Sequence, residues 1–395
     1  MNTFITLSGY EFKKLFRKKT VIIIVIFFFA FNILNIIKNY NLYNPFTEEG
    51  LSEIGRYGLY TEYKGEISKE KYNDIKENYL DALSLVQSGN YDTEYSPDKY
   101  YGGYAYGEAM FKIELYNEVE RLISYKEECN TISEKADALY NKLSDGDVYK
   151  TINGTISEDF KNRRLCTITN CNNVTGLLDY KLSSLLTIIL ALIGTVTIFT
   201  ADCESNTLLY LKSAVNGGRF SAMTKLVASV GFTLFISVIF ILTDFILFTF
   251  LLRLDGFNQP IYILKEFACS PLDVSIGQYL LILFASRITA TICVCLTIAF
   301  ISLIFRKTLH SLSLSALYLA FLMCIKAFIT SEGLSINTLN PLSLLLLSEV
   351  TTGYSFTGVF GKPIYTYIVL ISAVILASFI TLICILIKGG RNVKG

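Results

Sequence analysis

The sequence predicts an all-α integral membrane protein, with six membrane-crossing helices and a mainly helical extracytoplasmic domain inserted between the first and second. Three observations lead to this fold class. The apolar residues, 52% of the 395, are gathered into unbroken runs rather than spread evenly, and runs of about 18 or more read as membrane spans. The net charge of +1 conceals a division. Residues 41–180 hold 25 acidic and 15 basic side chains, and the remainder holds 9 acidic and 20 basic. Finally, the basic side chains outside that acidic block sit at the ends of apolar runs, so they do not form the separate patch that nucleic acid would need.

Each element follows in order. Residues 1–19 carry Lys13, Lys14, Arg17, Lys18 and Lys19, with Phe4, Ile5, Phe12, Leu15 and Phe16 at roughly helical spacing. They read as an amphipathic helix on the cytosolic membrane surface; the alternative is a solvated basic tail. Residues 20–38 (core VIIIVIFFFAFNILNII) form the first span. No small-x-small cleavage site follows, so it reads as an uncleaved anchor.

Residues 39–181 form the extracytoplasmic domain. Tyr72, Ile75, Tyr79, Leu83 and Val86 mark one helix. A longer helix covers 108–143, with a break expected near Asn130–Thr131. Asn153-Gly154 and the NCNN run at 170–173 read as turns. A block of this length can enclose its own core. Tyrosines and acids interleave over 91–106, which fits either a surface for cationic peptides or rings packed on the neighbouring helices. Cys166 and Cys171 could form a disulfide or remain two thiols.

Five further spans follow at 182–201, 223–251, 276–305, 309–330 and 365–387. With six spans, the N-terminus, the loop holding Lys212, Arg219 and Lys225, the loop holding Arg306 and Lys307, and the tail with Lys388, Arg391 and Lys394 all share one side. By the positive-inside rule that side is cytosolic, which places both termini in the cytosol and the chain in the plasma membrane. The segment 340–348 is too short to span and reads as re-entrant or interfacial.

Asp244, Arg287 and Lys326 are ionisable residues inside spans or near their outer ends. Asp244 lies 19 positions after Lys225, Arg287 lies 19 before Arg306, and Lys326 lies 19 after Lys307. At about 1.5 Å per residue each is about 29 Å from its cytosolic anchor. Either Asp244 and Arg287 pair between the third and fourth spans and mark an outer gate, or the long side chains snorkel to the outer headgroups.

Catalytic patterns are missing. His310 is the one histidine, and no CxxC pair exists, which excludes a Cys/His zinc site and leaves no HExxH motif. The one Gly-Lys, Gly361-Lys362, has Phe356 where a P-loop needs its first glycine and is followed by Pro363. The chain is therefore read as non-enzymatic, without a cofactor or metal of its own.

The coupling loop 202–222 is the most informative stretch. A short helix with Leu208, Leu209 and Leu211 leads to a turn at Gly217-Gly218 and then a basic residue at the third span. This pattern resembles the coupling region in permease subunits of the type II ABC exporter family. The matching residues are Glu204, Thr207, Leu208, Leu211, Gly218, Arg219 and Lys225. Tyr10-Glu-Phe-Lys-Lys-Leu-Phe-Arg-Lys-Lys19 and Asn340-Pro-Leu-Ser343 also resemble that family. Asn206 departs from the family's usual glycine, and no proline precedes Arg219. The likeness covers the membrane half alone.

The resemblance implies that 204–213 docks on a separate cytosolic ABC ATPase subunit, which binds the ATP. It also implies a second permease subunit, identical or related, and a peptide or lipid-like amphiphile as cargo. A membrane-anchored sensor without transport is the alternative, and a secondary transporter a third; no internal repeat or broken pair of spans favours the latter. The tryptophan-free composition, rich in Ile, Lys, Asn and Tyr, resembles that of low-GC Gram-positive bacteria.

Overall fold

The computed structural model describes residues 2–39, 46–47, 50–51, 61–88, 103–144, 146–164, 167–169, 172–205, 217–251, 254–305, 307–328, 340–359 and 362–391. It is an all-α protein with six helices long and apolar enough to cross a membrane. In chain order the helices are α1 (Asn2–Arg17), α2 (Lys19–Asn39), α3 (Lys69–Ser88), α4 (Gly103–Lys142), α5 (Val148–Lys161), α6 (Asn172–Asp179), α7 (Leu182–Glu204), α8 (Gly217–Leu251), α9 (Ile276–Phe305), α10 (Thr308–Phe328), α11 (Leu347–Thr351) and α12 (Thr366–Arg391). The spans are α2, α7, α8, α9, α10 and α12.

α7 is the central helix. Its most apolar stretch is 72% buried, against 17% for α2 and 17% for α12. It packs on α8, α9 and α10, so the other spans surround it and turn apolar faces outward. Phe235, Leu242, Ile246 and Phe250 line the outward face of α8, and Ile375, Phe379 and Ile383 that of α12. An outward apolar face on a helix of this length is what lipid tails require. One glycine sets the tightest contact in the bundle. A Cβ at Gly194 would lie 2.3 Å from Phe232 Cε1, and that ring is fully buried.

α8 has 35 residues, about 52 Å of helix, well beyond a hydrocarbon core of about 30 Å. α1 lies along its early turns. Phe4 meets Phe220, Phe12 meets Phe235, and Phe16 meets both Phe232 and Phe235. Leu15, Val21 and Ile385 share one core cluster, which puts the two ends of the chain on one face of the bundle, termed here the terminal face.

The inserted domain sits on the opposite face. Of the positions expected to mark α3, Ile75 is buried and Tyr72, Tyr79, Leu83 and Val86 are half-buried, with Ala82 buried beside them. Three local expectations are corrected. α4 runs unbroken through Asn130 and Thr131, where the Thr131 hydroxyl donates to the Glu127 carbonyl at 3.0 Å. Asn153-Gly154 lies inside α5; Gly154 allows close approach of Tyr140, whose ring would be 3.1 Å from a Cβ there. Asn172 opens helix α6 where a turn was expected, and Cys166 and Cys171 lie outside the described residues, as does the stretch from Tyr91 to Gly102.

The domain is fastened to the outer loops of the bundle. Arg163, 5% exposed, donates to the carbonyls of Ala268 and Ser270 (2.6 Å to the latter) and to the Tyr125 phenol. Its guanidinium lies 3.8 Å above the Phe160 ring. Arg121 donates to the Ile263 carbonyl at 2.6 Å. Burial drives the Tyr125 pKa up, so the phenol stays neutral and donates to Ala268 at 2.8 Å. On the other side, Asp159 accepts from Tyr354 at 2.8 Å and Tyr365 at 3.4 Å, flanking the hairpin of β1 (Phe356–Val359) and β2 (Lys362–Tyr365).

The segment 340–348 is neither exposed nor spanning. Pro341–Leu346 forms a 3₁₀ helix running into α11. Leu342, Leu344, Leu345 and Leu347 are buried, and polar clasps tie the segment inward: Asn340 Nδ2 donates to Leu322 O at 2.8 Å, and Ser286 Oγ to Leu344 O at 3.0 Å.

Gly194→Ala is expected to lower stability by about 1–3 kcal/mol, the usual cost of overpacking a tight core. Phe232→Leu in the same chain should recover part of the loss. Thermal unfolding of the detergent-solubilised protein checks both; an unchanged midpoint for Gly194→Ala would contradict the contact.

Candidate functional site

Among the described residues, two clusters built on buried charges stand out in the bundle, one near each face. The first is at the terminal face. Asp202, in the last turn of α7, is 4% exposed, and Lys225 of α8 is 5% exposed. Lys225 Nζ lies 2.5 Å from Asp202 Oδ2, and Lys14 Nζ of α1 donates to Asp202 Oδ1 at 2.7 Å. Glu11 stands 3.7 Å from Lys14. Burial raises the Glu11 carboxyl above its ordinary range. Burial alone would lower the Lys14 ammonium; the Asp202 hydrogen bond and Glu11 reverse this and hold it raised. Three helices thus meet on one carboxylate, and the four charges sum to zero.

This cluster brackets the predicted dock. Asp202 precedes the loop and Lys225 follows it, and the two side chains meet. Glu204 is exposed at the end of α7. Thr207, Leu208 and Leu211 lie outside the described residues. Arg219 falls within α8, and its side chain is likewise outside what is described.

The second cluster lies deeper in the bundle, toward the inserted domain. Asp244 is 1% exposed and Arg287 3%, so neither reaches out to headgroups. Nor do they form the expected direct ion pair. Asn32 Nδ2 of α2 donates to Asp244 Oδ1 at 2.7 Å. Tyr180 OH donates to Asn32 Oδ1 at 2.8 Å, and Asn35 Nδ2 to the Tyr180 oxygen at 3.2 Å. Arg287 Nη2 donates to the Leu178 carbonyl at 3.0 Å, and its charge is felt by Asp244 without contact. The Lys326 side chain lies outside the described residues.

The partners give this cluster a position of consequence. Asn32 and Asn35 sit just before the chain enters the inserted domain, and Leu178 and Tyr180 just before it leaves. Asp244 and Arg287 therefore hold both roots of that domain. Sequence reasoning singled out the two charges and missed what they hold. It also named Glu204 and passed over Asp202, two residues earlier. The available signal was an acid in the last turn of an apolar run, and two asparagines in the last turns of another.

Two outcomes follow. Asp202→Leu is expected to cost about 3–5 kcal/mol, because it strands a buried lysine, and the double variant Asp202→Leu/Lys225→Met should recover the larger part. Asn32→Leu, which takes one hydrogen-bond donor from a buried carboxylate, should cost about 1–3 kcal/mol; unfolding in detergent reads each, and strict additivity of the Asp202 and Lys225 changes would argue against the pair.

No protein-family model, no curated protein and no solved structure matches the chain.

Proposed function

We propose that the chain is the membrane-spanning subunit of an ATP-driven exporter of the type II ABC class. A separate cytosolic ATPase docks on the loop between α7 and α8, and a second permease subunit completes the pathway. In this reading the terminal face is cytosolic and the inserted domain is outside the cell. The cargo class is a peptide or lipid-like amphiphile. The observation that carries the reading is the loop itself. Glu204, Thr207, Leu208 and Leu211 precede Gly218 and Arg219 in the order that such docks show, and Asp202 and Lys225 clamp the loop's two ends into the bundle. A connector with no mechanical duty needs no buried ion cluster at its base, because desolvating such charges is costly.

A membrane-anchored sensor is the second reading. It draws on the clasps of Arg163 and Asp159, which would pass a signal from the inserted domain to the spans without any ATPase.

Affinity purification of the tagged chain from its native membrane separates the two. A P-loop ATPase is expected with the unmodified protein, reduced at least tenfold with Glu204→Lys or Leu208→Asp. Intact protein that brings no ATPase would favour the sensor, and an ATPase retained equally by both variants would move the dock elsewhere.

A further inference from the structure

α1 divides its residues among distinct faces. Ser8 and Leu15 are buried, and Phe4, Phe12 and Phe16 form the aromatic ladder against α8. Lys14 turns toward Asp202. What remains is Ile5 at 61% exposure and Tyr10 at 55%, together with Lys13 and Arg17, both exposed. Lys18 and Lys19 follow, exposed as well, at the start of the first span. Of the five cations in this stretch, Lys14 is consumed by Asp202 and Glu11. Among the described residues, none of the other four makes an ion pair. Lys388 is exposed at the same end of the bundle, one turn beyond Ile385, which packs in the cluster that holds Leu15 and Val21.

A solvated basic face would have the same charges. Two features distinguish this corner. The four cations sit where an apolar span begins, so their stems can lie along hydrocarbon while their charges reach the level of phosphates. Ile5 and Tyr10 are also exposed on the same helix, and apolar and aromatic side chains are the usual interfacial anchors. The ladder and the Lys14 contact fix the helix, so the charges are presented in place.

We propose that the outer face of α1, with Lys13, Arg17, Lys18 and Lys19, is a binding surface for anionic phospholipid headgroups. Lys388 adds to the same field. The occupant is a lipid of the leaflet adjoining the terminal face, because the charges surround the root of a span. The surface is independent of the exporter reading: any membrane protein with this helix would carry it. The same helix carries Lys14, so headgroup binding and the Asp202 cluster share one rigid element.

The test uses the full chain in bilayer discs of phosphatidylcholine with a minor share of phosphatidylglycerol, followed by release and native mass spectrometry of the retained lipid. The protein is expected to retain phosphatidylglycerol well above its share. Each neutralised charge should weaken retention roughly fivefold, so Lys13→Gln/Arg17→Gln/Lys18→Gln/Lys19→Gln should leave no preference. A control neutralises four exposed lysines of the inserted domain: Lys69→Gln/Lys76→Gln/Lys135→Gln/Lys142→Gln. It should keep the full preference, which separates position from total charge. Equal unfolding midpoints in phosphatidylcholine alone establish that the variants fold. Retention that persists in the α1 variant, or that falls equally in the control, would overturn the proposal.

Discussion

A carboxylate taken from water into a bundle of apolar helices loses several kcal/mol of hydration, and it stays ionised where cations and hydrogen-bond donors replace the water. Asp202 and Asp244 impose that constraint here. Asp202 can be satisfied where α1 and α8 both reach the end of α7, and Asp244 where α2 and Tyr180 close on α8. Apolar packing between membrane helices is comparatively permissive about rotation and register, because lipid tails are as apolar as leucine. The polar contacts are not. α2 shows this most plainly: it buries Val21, Asn32 and Ile36, so its one buried amide does much of the work of fixing its position.

The inserted domain obeys the same rule in a wetter setting. Arg163 is buried in a box of Phe160, Tyr125 and Tyr262, and its donors are taken by carbonyls of the loop between α8 and α9. Asp159 holds two phenols beside the last hairpin. A domain joined to the bundle by two flexible strands alone would swing freely. This one is gripped at its roots by Asp244 and Arg287 and at its underside by two loops from other spans. The spans α8, α9 and α12 cannot shift far relative to one another without straining those clasps.

Much of the architecture was legible because it depends on signals that are local in the chain. Run length gave the spans, and the positions of lysine and arginine gave their common side. Local signals also misled. Asn130-Thr131 and Asn153-Gly154 carry turn chemistry, but helix packing overrides a preference worth a fraction of a kcal/mol per residue, and Gly154 serves instead to admit the Tyr140 ring. The clusters were half legible. Asn32, Asp202 and Asp244 are conspicuous as polar letters in apolar runs. Their partners are separated by 188 residues for Lys14 and Asp202, and by 212 for Asn32 and Asp244, and no spacing rule reaches that far. Equal depth left open either an ion pair between Asp244 and Arg287 or snorkelling to the headgroups. Depth fixes one coordinate of three, and Arg287 turned to the free carbonyl of Leu178 at the end of α6.

The two clusters lie on one rod. Lys225 and Asp244 belong to α8, 19 residues or about 29 Å apart along its axis, and the described helix between them is unbroken. An α-helix of that length resists bending far more than its ends resist displacement, so a force at Lys225 reaches Asp244 as tilt or translation. The contacts at the far end are single hydrogen bonds with discrete partners: Asn32 to Asp244, and Tyr180 to Asn32. Such bonds weaken steeply once they are bent or lengthened. A pull on the loop that begins after Asp202 would therefore be felt at both roots of the inserted domain, through a stiff element with a polar fastening at each end. The buried charges sit where neighbouring helices can hold that rod, Lys225 against Asp202 of α7 and Asp244 against Asn32 of α2.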